Sequence, residues 1–373
     1  MSSEIALVKC EDYSSHLVQA KTRQALDLLG GIEKFIKPGS KVLINPNLLT
    51  TKEPETAIDT HPEVVRAVIR ILKEINCCVY VGDSPSAFHA ESTEVEEVWE
   101  KSGIKKIAEE EDVQLVKFTN SRWQKIFPLT TWLDEVDYFI SVPKFKTHNL
   151  TVLTGAIKNI YGLIPGVYKL ELHRRYYKPE DFASMLIDLY QITPPTLTIV
   201  DGIFALEGEG PASKGKIRKL GMLCAGTDCV AIDSILAEIM GIKPQDILTT
   251  KEAARRNLGK TRVEDMRILG EKLDTFKAKP FEVPATFFRN THFQVLLTKL
   301  FVTLVRFLPQ IDAKICNRCG ACIKVCPQNV MSERGQKVVI NYFGCIACFC
   351  CQEICPNAAI GIKKSLVARI LKL

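Results

Sequence analysis

Three familiar nucleotide-binding and catalytic patterns are missing from this chain of 373 residues. No Gly-x-Gly-x-x-Gly follows a strand-like run and opens a helix, so no Rossmann site for NAD or a flavin is predicted. Residues 210–216 copy a P-loop as far as Lys216, but Ile217 stands where a Ser or Thr would hold Mg²⁺. An ATP site is therefore not predicted. A Gly-x-Ser-x-Gly nucleophile elbow does not occur either.

The chain also lacks a strong excess of one charge. Its 49 basic and 43 acidic side chains leave a formal net charge of +6. Because no dense block of Lys and Arg is interleaved with aromatic residues, nucleic-acid binding is not predicted. The first residues show no basic stretch followed by an apolar core, which is the pattern of an export signal. We therefore expect the protein in the cytoplasm.

Cysteine, by contrast, is abundant, and eight of the 14 cysteines form two copies of one pattern near the C-terminus. Each copy reads Cys-x2-Cys-x2-Cys-x3-Cys-Pro, a spacing that supplies thiolates to [4Fe–4S] clusters. Zinc sites use isolated pairs of cysteines, and disulfide frameworks are typical of small secreted chains. The pattern therefore predicts two iron–sulfur clusters, which carry electrons one at a time.

Residues 312–362 resemble a bacterial-type two-cluster ferredoxin, in which the fourth cysteine of each copy ligates the other cluster. The resemblance assigns two ligand sets, namely Cys316, Cys319, Cys322 and Cys355 for cluster 1, and Cys345, Cys348, Cys351 and Cys326 for cluster 2. Cys350 matches no ligand position, and we interpret it as a thiol that binds no iron.

Strand-like and helix-like patterns alternate along the first three quarters of the chain. In residues 61–76, for example, apolar side chains recur at helical spacing. Such alternation predicts an α/β domain with a mostly parallel sheet, followed by a small α+β two-cluster ferredoxin-like domain. The expected segments are the α/β domain (1–284), an amphipathic linker helix (285–311), the ferredoxin-like domain (312–363) and a basic amphipathic tail (364–373).

The predicted linker contains an apolar stripe over residues 293–308, which Lys299 and Arg306 interrupt. This stretch is too short to span a bilayer. A helix packed between the domains is the simplest interpretation. A dimer contact or peripheral contact with a membrane surface is compatible with the same pattern.

Residues 141–166 hold a dense group of polar side chains after a strand-like run that ends at Pro143. Within sixteen residues come Lys144, Lys146, His148, Thr154, Lys158 and Asn159. Ligands of open α/β sheets bind beyond the carboxyl ends of the strands, and three lysines at such a place suit a carboxylate or phosphate. The alternative is that the lysines merely alternate into solvent.

Carboxylates provide further candidates. Asp83 and Asp201 each follow a strand-like run, so both are expected at the edge of the sheet where catalytic groups collect. Glu207 opens a turn over residues 207–211. Asp228 precedes a helix, and the simpler interpretation makes it the N-cap of that helix.

Together these segments resemble the DUF362 family over nearly all of residues 1–245. The matching segments are 82–85, 144–166, 201–203, 207–211 and 225–233. Family members with a C-terminal two-cluster ferredoxin module are common. The resemblance implies that the recurrent polar positions are Asp83, Lys144, Lys146, His148, Thr154, Lys158, Asn159, Asp201, Glu207 and Asp228. It implies a fold and a site, but not a reaction.

We predict an iron–sulfur electron-transfer protein, and more specifically a reductase. Its clusters would take electrons from a low-potential donor or partner protein and deliver them to an anionic small molecule in the α/β domain. His148, Asp83 and Lys158 are the catalytic candidates, and the other polar positions would bind substrate. The sequence leaves open whether the α/β domain is catalytic. The alternative is an adaptor that passes electrons to another protein.

Overall fold

A computed structural model describes residues 3–85, 92–277, 279–289 and 307–365. Its strands are β1 (Ser3–Lys9), β2 (Lys41–Pro46), β3 (Cys78–Val81), β4 (Gln114–Leu115), β5 (Ser121–Gln124), β6 (Phe127–Thr130), β7 (Tyr138–Val142), β8 (Lys144–His148), β9 (Val152–Thr154), β10 (Leu197–Gly208), β11 (Gly215–Gly226), β12 (Met266–Gly270), β13 (Phe307–Ile311), β14 (Met331–Arg334), β15 (Lys337–Ile340) and β16 (Ile360–Lys364).

The described residues also form α-helices, several of them short. They are α1 (Ser15–Leu28), α2 (Pro62–Glu74), α3 (Ser92–Lys101), α4 (Ile104–Glu110), α5 (Trp132–Glu135), α6 (Ala156–Asn159), α7 (Gly166–Arg175), α8 (Pro179–Ile192), α9 (Cys229–Met240), α10 (Leu248–Arg255), α11 (Ala321–Lys324) and α12 (Cys350–Glu353).

One ten-stranded sheet organises the larger part of the chain. Its strand order is β12-β1-β11-β10-β7-β2-β3-β4, and β8 and β9 join beside β10. The strands from β10 to β4 are all parallel to their neighbours along this path, whereas β11 is antiparallel to both of its neighbours. The expected mostly parallel α/β fold is confirmed.

The sheet is covered on both faces, as alternation along its strands requires. On β2, Val42 and Ile44 pack in a hydrophobic cluster with α1 and α2. Leu43 points the other way, into a second cluster with α8 and α9. The result is three layers, with the sheet in the middle.

The strand order reverses beside β2. From β2 the chain continues outward to β3 and β4, and then it returns to β7 on the opposite side of β2. Such a reversal opens a crevice at the carboxyl ends of the strands, where ligands of doubly wound sheets bind. Asn159 of α6 closes the base of this crevice, because its Nδ2 donates to Asn45 O of β2 (3.2 Å) and to Ser141 Oγ of β7 (2.9 Å).

The C-terminal region folds around two short strand pairs. Strands β13 and β16 pair antiparallel, and β14 and β15 form a hairpin. Helices α11 and α12 begin at equivalent places in the two cysteine repeats, after Gly320 and Phe349, both in the left-handed region with φ of 77° and 62°. This small domain with short strands and helices agrees with the expected ferredoxin-like fold.

The linker helix expected at 285–311 needs a correction at its end. Phe307–Ile311 is strand β13, which pairs with the last strand of the ferredoxin-like domain. The buried positions Phe307 and Pro309 alternate, which fits a strand. A 3-10 turn covers Ala285–Arg289, while residues 290–306, and the predicted tail from 366 onward, lie outside the described residues.

Candidate functional site

The cysteine repeats surround two cavities. Cys316, Cys319, Cys322 and Cys355 line one of them, and Cys326, Cys345, Cys348 and Cys351 line the other. Each cavity holds about 340 Å³ of non-protein space. Four thiols around one cavity are the donor set that a [4Fe–4S] cluster takes, so the residues fit that group. The fourth cysteine of each repeat lies at the other repeat's cavity, as the sequence prediction requires.

A third cavity lies between the α/β domain and α12. It comprises about 620 Å³, its open mouth included. Cys350 and Glu353 of α12 form one wall, and Asp83, Lys158 and Lys169 belong to the other. We call this space the interdomain cavity. Because Cys350 precedes Cys351 directly, the cavity adjoins the second cysteine repeat.

Asp83 sits at the floor of the interdomain cavity, just beyond β3. Its Oδ2 accepts a hydrogen bond from Leu48 N (2.9 Å), and its Oδ1 accepts one from Asn45 Nδ2 (3.1 Å). Burial raises the pKa of Asp83. A Cβ at position 162 would lie 2.1 Å from Asp83 Oδ1, so only glycine fits at Gly162 beside this carboxyl.

Two lysines of the interdomain cavity differ in how they are held. Lys169 donates to the carbonyls of Ser84 and Pro85, and burial lowers its pKa to about 8. Burial also lowers the pKa of Lys158, against the opposing effect of Glu353. Among the described residues no hydrogen-bond partner reaches the Lys158 ammonium. It is therefore the cation most ready to take a ligand.

His148 faces the ferredoxin-like domain instead of a ligand. Its Nε2 lies 3.2 Å from Glu353 Oε1, at an angle outside hydrogen-bond geometry, and its Nδ1 accepts from Leu150 N. Burial, reinforced by Lys158, lowers the pKa of His148 to about 4, so the ring is neutral at pH 7. Burial raises the pKa of Glu353, but His148, Lys158 and His173 outweigh it and lower that pKa to about 2.

Lys144 and Asp201 neutralise each other away from the interdomain cavity. Lys144 Nζ lies 2.8 Å from Asp201 Oδ2 and 2.8 Å from the Tyr13 hydroxyl, and both charged side chains are fully buried. Tyr13 also donates to Asp201 Oδ1 (2.7 Å) and stacks on His61. A buried charge that already has a close partner is bound structurally, and these two residues do not line the interdomain cavity.

The ammonium group of Lys146 also has a partner inside the protein. Its Nζ donates to Ile58 O (2.6 Å), and burial, partly opposed by Asp59, lowers its pKa to about 7. Asp59 accepts from Leu49 N, and burial raises its pKa to about 7. The three lysines of the sequence motif thus do not converge on one ligand, because β8 buries two of them among internal partners.

Three other candidates lie outside the interdomain cavity. Thr154 ends β9 opposite Lys146. Glu207 forms an ion pair with Arg218 at 3.0 Å. Asp228 caps α9, since its Oδ1 accepts from the backbone of the helix's first turn. Asp228 also follows β11, whose end lies beside the start of β10, at the opposite edge of the sheet.

The sequence reasoning missed several residues that line the interdomain cavity, namely Tyr161, Lys169, His173, Cys350 and Glu353. Lys169 and His173 are four positions apart on α7, a spacing that places both side chains on one helix face. That spacing was a detectable signal. Nothing in the sequence indicated that α12 would face α7.

Comparisons with known proteins agree with this architecture. A family model described as a domain of unknown function (DUF362) matches residues 42–238. The chain belongs to the DUF362 family. A second model, described as a 4Fe-4S dicluster domain, matches residues 308–356. The C-terminal part of this DUF362 protein is therefore an iron–sulfur domain of ferredoxin type, which supports a role in electron transfer.

Individual relatives cover the DUF362 protein unequally. One from Synechocystis sp., named Thylakoid-associated protein, is 32% identical over 271 residues, which are 71% of this chain and 83% of that protein. The Ferredoxin of Methanothermococcus thermolithotrophicus is 36% identical over 47 residues, which are 12% of this chain and 78% of that protein. Hydrogenase-4 component A of Escherichia coli is 36% identical over 53 residues, which are 14% of this chain and 26% of that protein.

In the described part of the DUF362 protein, no helix has both the length and the apolar character needed to cross a bilayer.

Replacing one cysteine should remove the iron of one cluster. We expect the anaerobically reconstituted protein to bind about eight irons per chain, and Cys319→Ser to bind about four or fewer, because the repeats share ligands. Iron and protein assays measure this. Cys78→Ser, which changes an exposed cysteine outside the repeats, is the matched control and should keep the full complement. Full iron content in Cys319→Ser would contradict the ligand assignment.

Asp228 should contribute to stability and not to ligand binding. Asp228→Ala removes the cap of α9 together with the contact to Lys260 N, so the free energy of unfolding should fall by about 1–2 kcal/mol. Chemical denaturation measures the change. Asp265→Ala, at an exposed position, should change it by less than about 0.5 kcal/mol. Equal stability of Asp228→Ala and the parent protein would refute the capping role.

Proposed function

We propose that this DUF362 protein is a ferredoxin-linked reductase. It would bind two [4Fe–4S] clusters and reduce a small anionic molecule held in the interdomain cavity. The observation that carries the proposal is the composition of the cavity walls: a lysine without a hydrogen-bond partner among the described residues faces the helix of the second cysteine repeat.

The first support for the proposal is that the interdomain cavity lies close to the second cysteine repeat. Cys350 and Glu353 line the cavity and flank Cys351, a proposed ligand of cluster 2. A molecule bound between α12 and Lys158 would therefore lie beside the helix that holds Cys351. When bound, the clusters supply single electrons, and two clusters together store the pair that a two-electron reduction consumes.

The second support is the set of charged side chains that line the interdomain cavity. Lys158 and Lys169 present two ammonium groups to the cavity, and charge-assisted hydrogen bonds from such groups hold an oxyanion well. The carboxylates of Asp83 and Glu353 line the same space. The cavity thus offers a place for one anionic group between the lysines and would repel a polyanion.

Proton supply is the third part of the proposal. Lys158 is the best-suited donor, because burial lowers its pKa and so makes the ammonium a stronger acid than a solvent-exposed lysine. His148, which is neutral at pH 7, is ill-suited to that task. As negative charge develops on the substrate, the ammonium would stabilise it and deliver one of the two protons that a two-electron reduction takes up. The second proton would come from water at the open mouth of the cavity.

The cellular setting belongs to the proposal as well. A chain with eight cysteines in cluster spacing suits the reducing cytoplasm. Any contact with a membrane, such as the name of the Synechocystis relative implies for that protein, would be peripheral. The electron source would be a low-potential carrier.

Reoxidation of the reduced protein tests the proposed function. Small carboxylic acids with a reducible carbonyl or double bond should reoxidise the anaerobically reduced chain without an added partner, and Lys158→Met should slow this at least about tenfold. Stopped-flow absorbance of the clusters measures the rate. Lys37→Met, the same change at an exposed position, should leave the rate unaltered.

A failure of small molecules to reoxidise the protein would contradict the proposal. If no small molecule reoxidises the protein and a partner protein is always required, the chain is an adaptor and the reductase proposal fails. Equal reoxidation rates for Lys158→Met and Lys37→Met would show that Lys158 neither binds the substrate nor assists its reduction.

A further inference from the structure

The two cysteine repeats differ in exposure at one pair of equivalent cysteines. In the second repeat Cys348 and Cys351 are only 8% and 7% exposed, and Phe349 between them is 1% exposed. In the first repeat Cys319, the counterpart of Cys348, is exposed. Cys322, the counterpart of Cys351, is 9% exposed, so the difference in solvent access is confined to the side of cluster 1 that Cys319 covers.

The α/β domain causes this difference by covering the second repeat. Asn149 Nδ2 donates to Gln352 Oε1 of α12, and His148 contacts Glu353. Leu170 of α7 packs against the cluster formed by Ala321, Val325, Cys348, Cys350 and Ile354. A carrier protein cannot approach cluster 2 through this wall. The described residues cover the first repeat only in part: Leu170 reaches Ala321 and Val325 of α11, whereas residues 312–319 stay largely exposed.

The exposed loop of the first repeat combines apolar and positive surface. We call residues 312–319 the entry loop. Its Ile315 is 46% exposed, and Lys314 and Arg318 on either side of it are exposed as well. The β14–β15 hairpin, whose Val338 lines the same cavity, adds further exposed charges.

The charge on this surface is positive overall. Its exposed cations are Lys314, Arg318, Arg334 and Lys337, and its exposed carboxylates are Asp312 and Glu333. None of the four cations forms an ion pair within the described parts of the chain. Cations near an anionic cluster also raise its reduction potential. Tuning of the reduction potential would not, however, require Ile315 or Cys319 to be exposed. An apolar centre with a charged rim is typical of a protein interface.

We infer that the entry loop is the docking surface for an acidic one-electron carrier protein, which delivers electrons to cluster 1 for passage through cluster 2 to the interdomain cavity. The two cluster cavities are neighbours, because Cys322 and Cys351 pack in one hydrophobic cluster. The inference rests on the proposed function in taking the clusters as electron carriers and the interdomain cavity as the destination of the electrons.

Electron entry can be measured without any substrate. The full-length, cluster-loaded protein is mixed at low ionic strength with a reduced acidic two-cluster ferredoxin, or with photoreduced deazariboflavin as a small uncharged donor. For the double variant Lys314→Glu/Arg318→Glu we expect the rate constant with the ferredoxin to fall about tenfold or more and to lose its salt dependence. The rate with deazariboflavin should stay within a factor of two of that of the parent protein.

A control variant and the iron content keep this test specific. Lys37→Glu/Lys105→Glu reverses two exposed charges outside the ferredoxin-like domain and should leave both rates unaltered. An unchanged ferredoxin rate in the entry-loop variant would overturn the inference, as would an equal loss in the control variant. Equal slowing with both donors at full iron content would show that the loop tunes the cluster and docks no carrier. Substrate reoxidation plays no part here, so failure of the proposed reductase would be seen separately.

Discussion

The contact between α12 and the α/β domain is the interaction on which the rest of the structure depends. It joins apolar packing around Leu170 with polar contacts from Asn149 and His148. This contact helps to bury the second cysteine repeat and creates the interdomain cavity, while residues 312–319 of the first repeat stay largely exposed. A ferredoxin-like domain on a free tether would have no interdomain cavity and would expose both repeats alike.

Burying three lysines and partly burying a fourth near one sheet edge has a high desolvation cost, and the structure offsets it in different ways. Lys144 has the carboxylate of Asp201, and Lys146 and Lys169 donate to backbone carbonyls. A buried charge is tolerated only when it is paired and hydrogen-bonded. Lys158, which is partly buried and has no such hydrogen bond among the described residues, is the exception. Proteins keep exceptions of this kind chiefly where a ligand or a reaction uses them.

The cysteine pattern and the hydrophobic alternation were sufficient to predict the α/β sheet and the ferredoxin-like domain. Both depend on local spacing: thiolates at fixed intervals can wrap one cluster, and apolar residues at helical or strand periods must face a core. The same local logic was wrong at residues 307–311, because an alternating Phe and Pro fit a strand as well as a helical stripe. The pairing partner, β16, lies about fifty residues further along the chain and decided the outcome.

The sequence by itself determined which residue types were available: eight cysteines in two repeats, and a run of lysines after a strand that ends at Pro143. Only the tertiary structure decided what each one does. Lys144 faces Asp201, 57 residues later, and Asp228 caps a helix at the far edge of the sheet. Glu353 reaches His148 across the domain boundary. The physical reason is that a side chain's charge state and freedom depend on burial and on partners distant in the chain, and no local pattern specifies those.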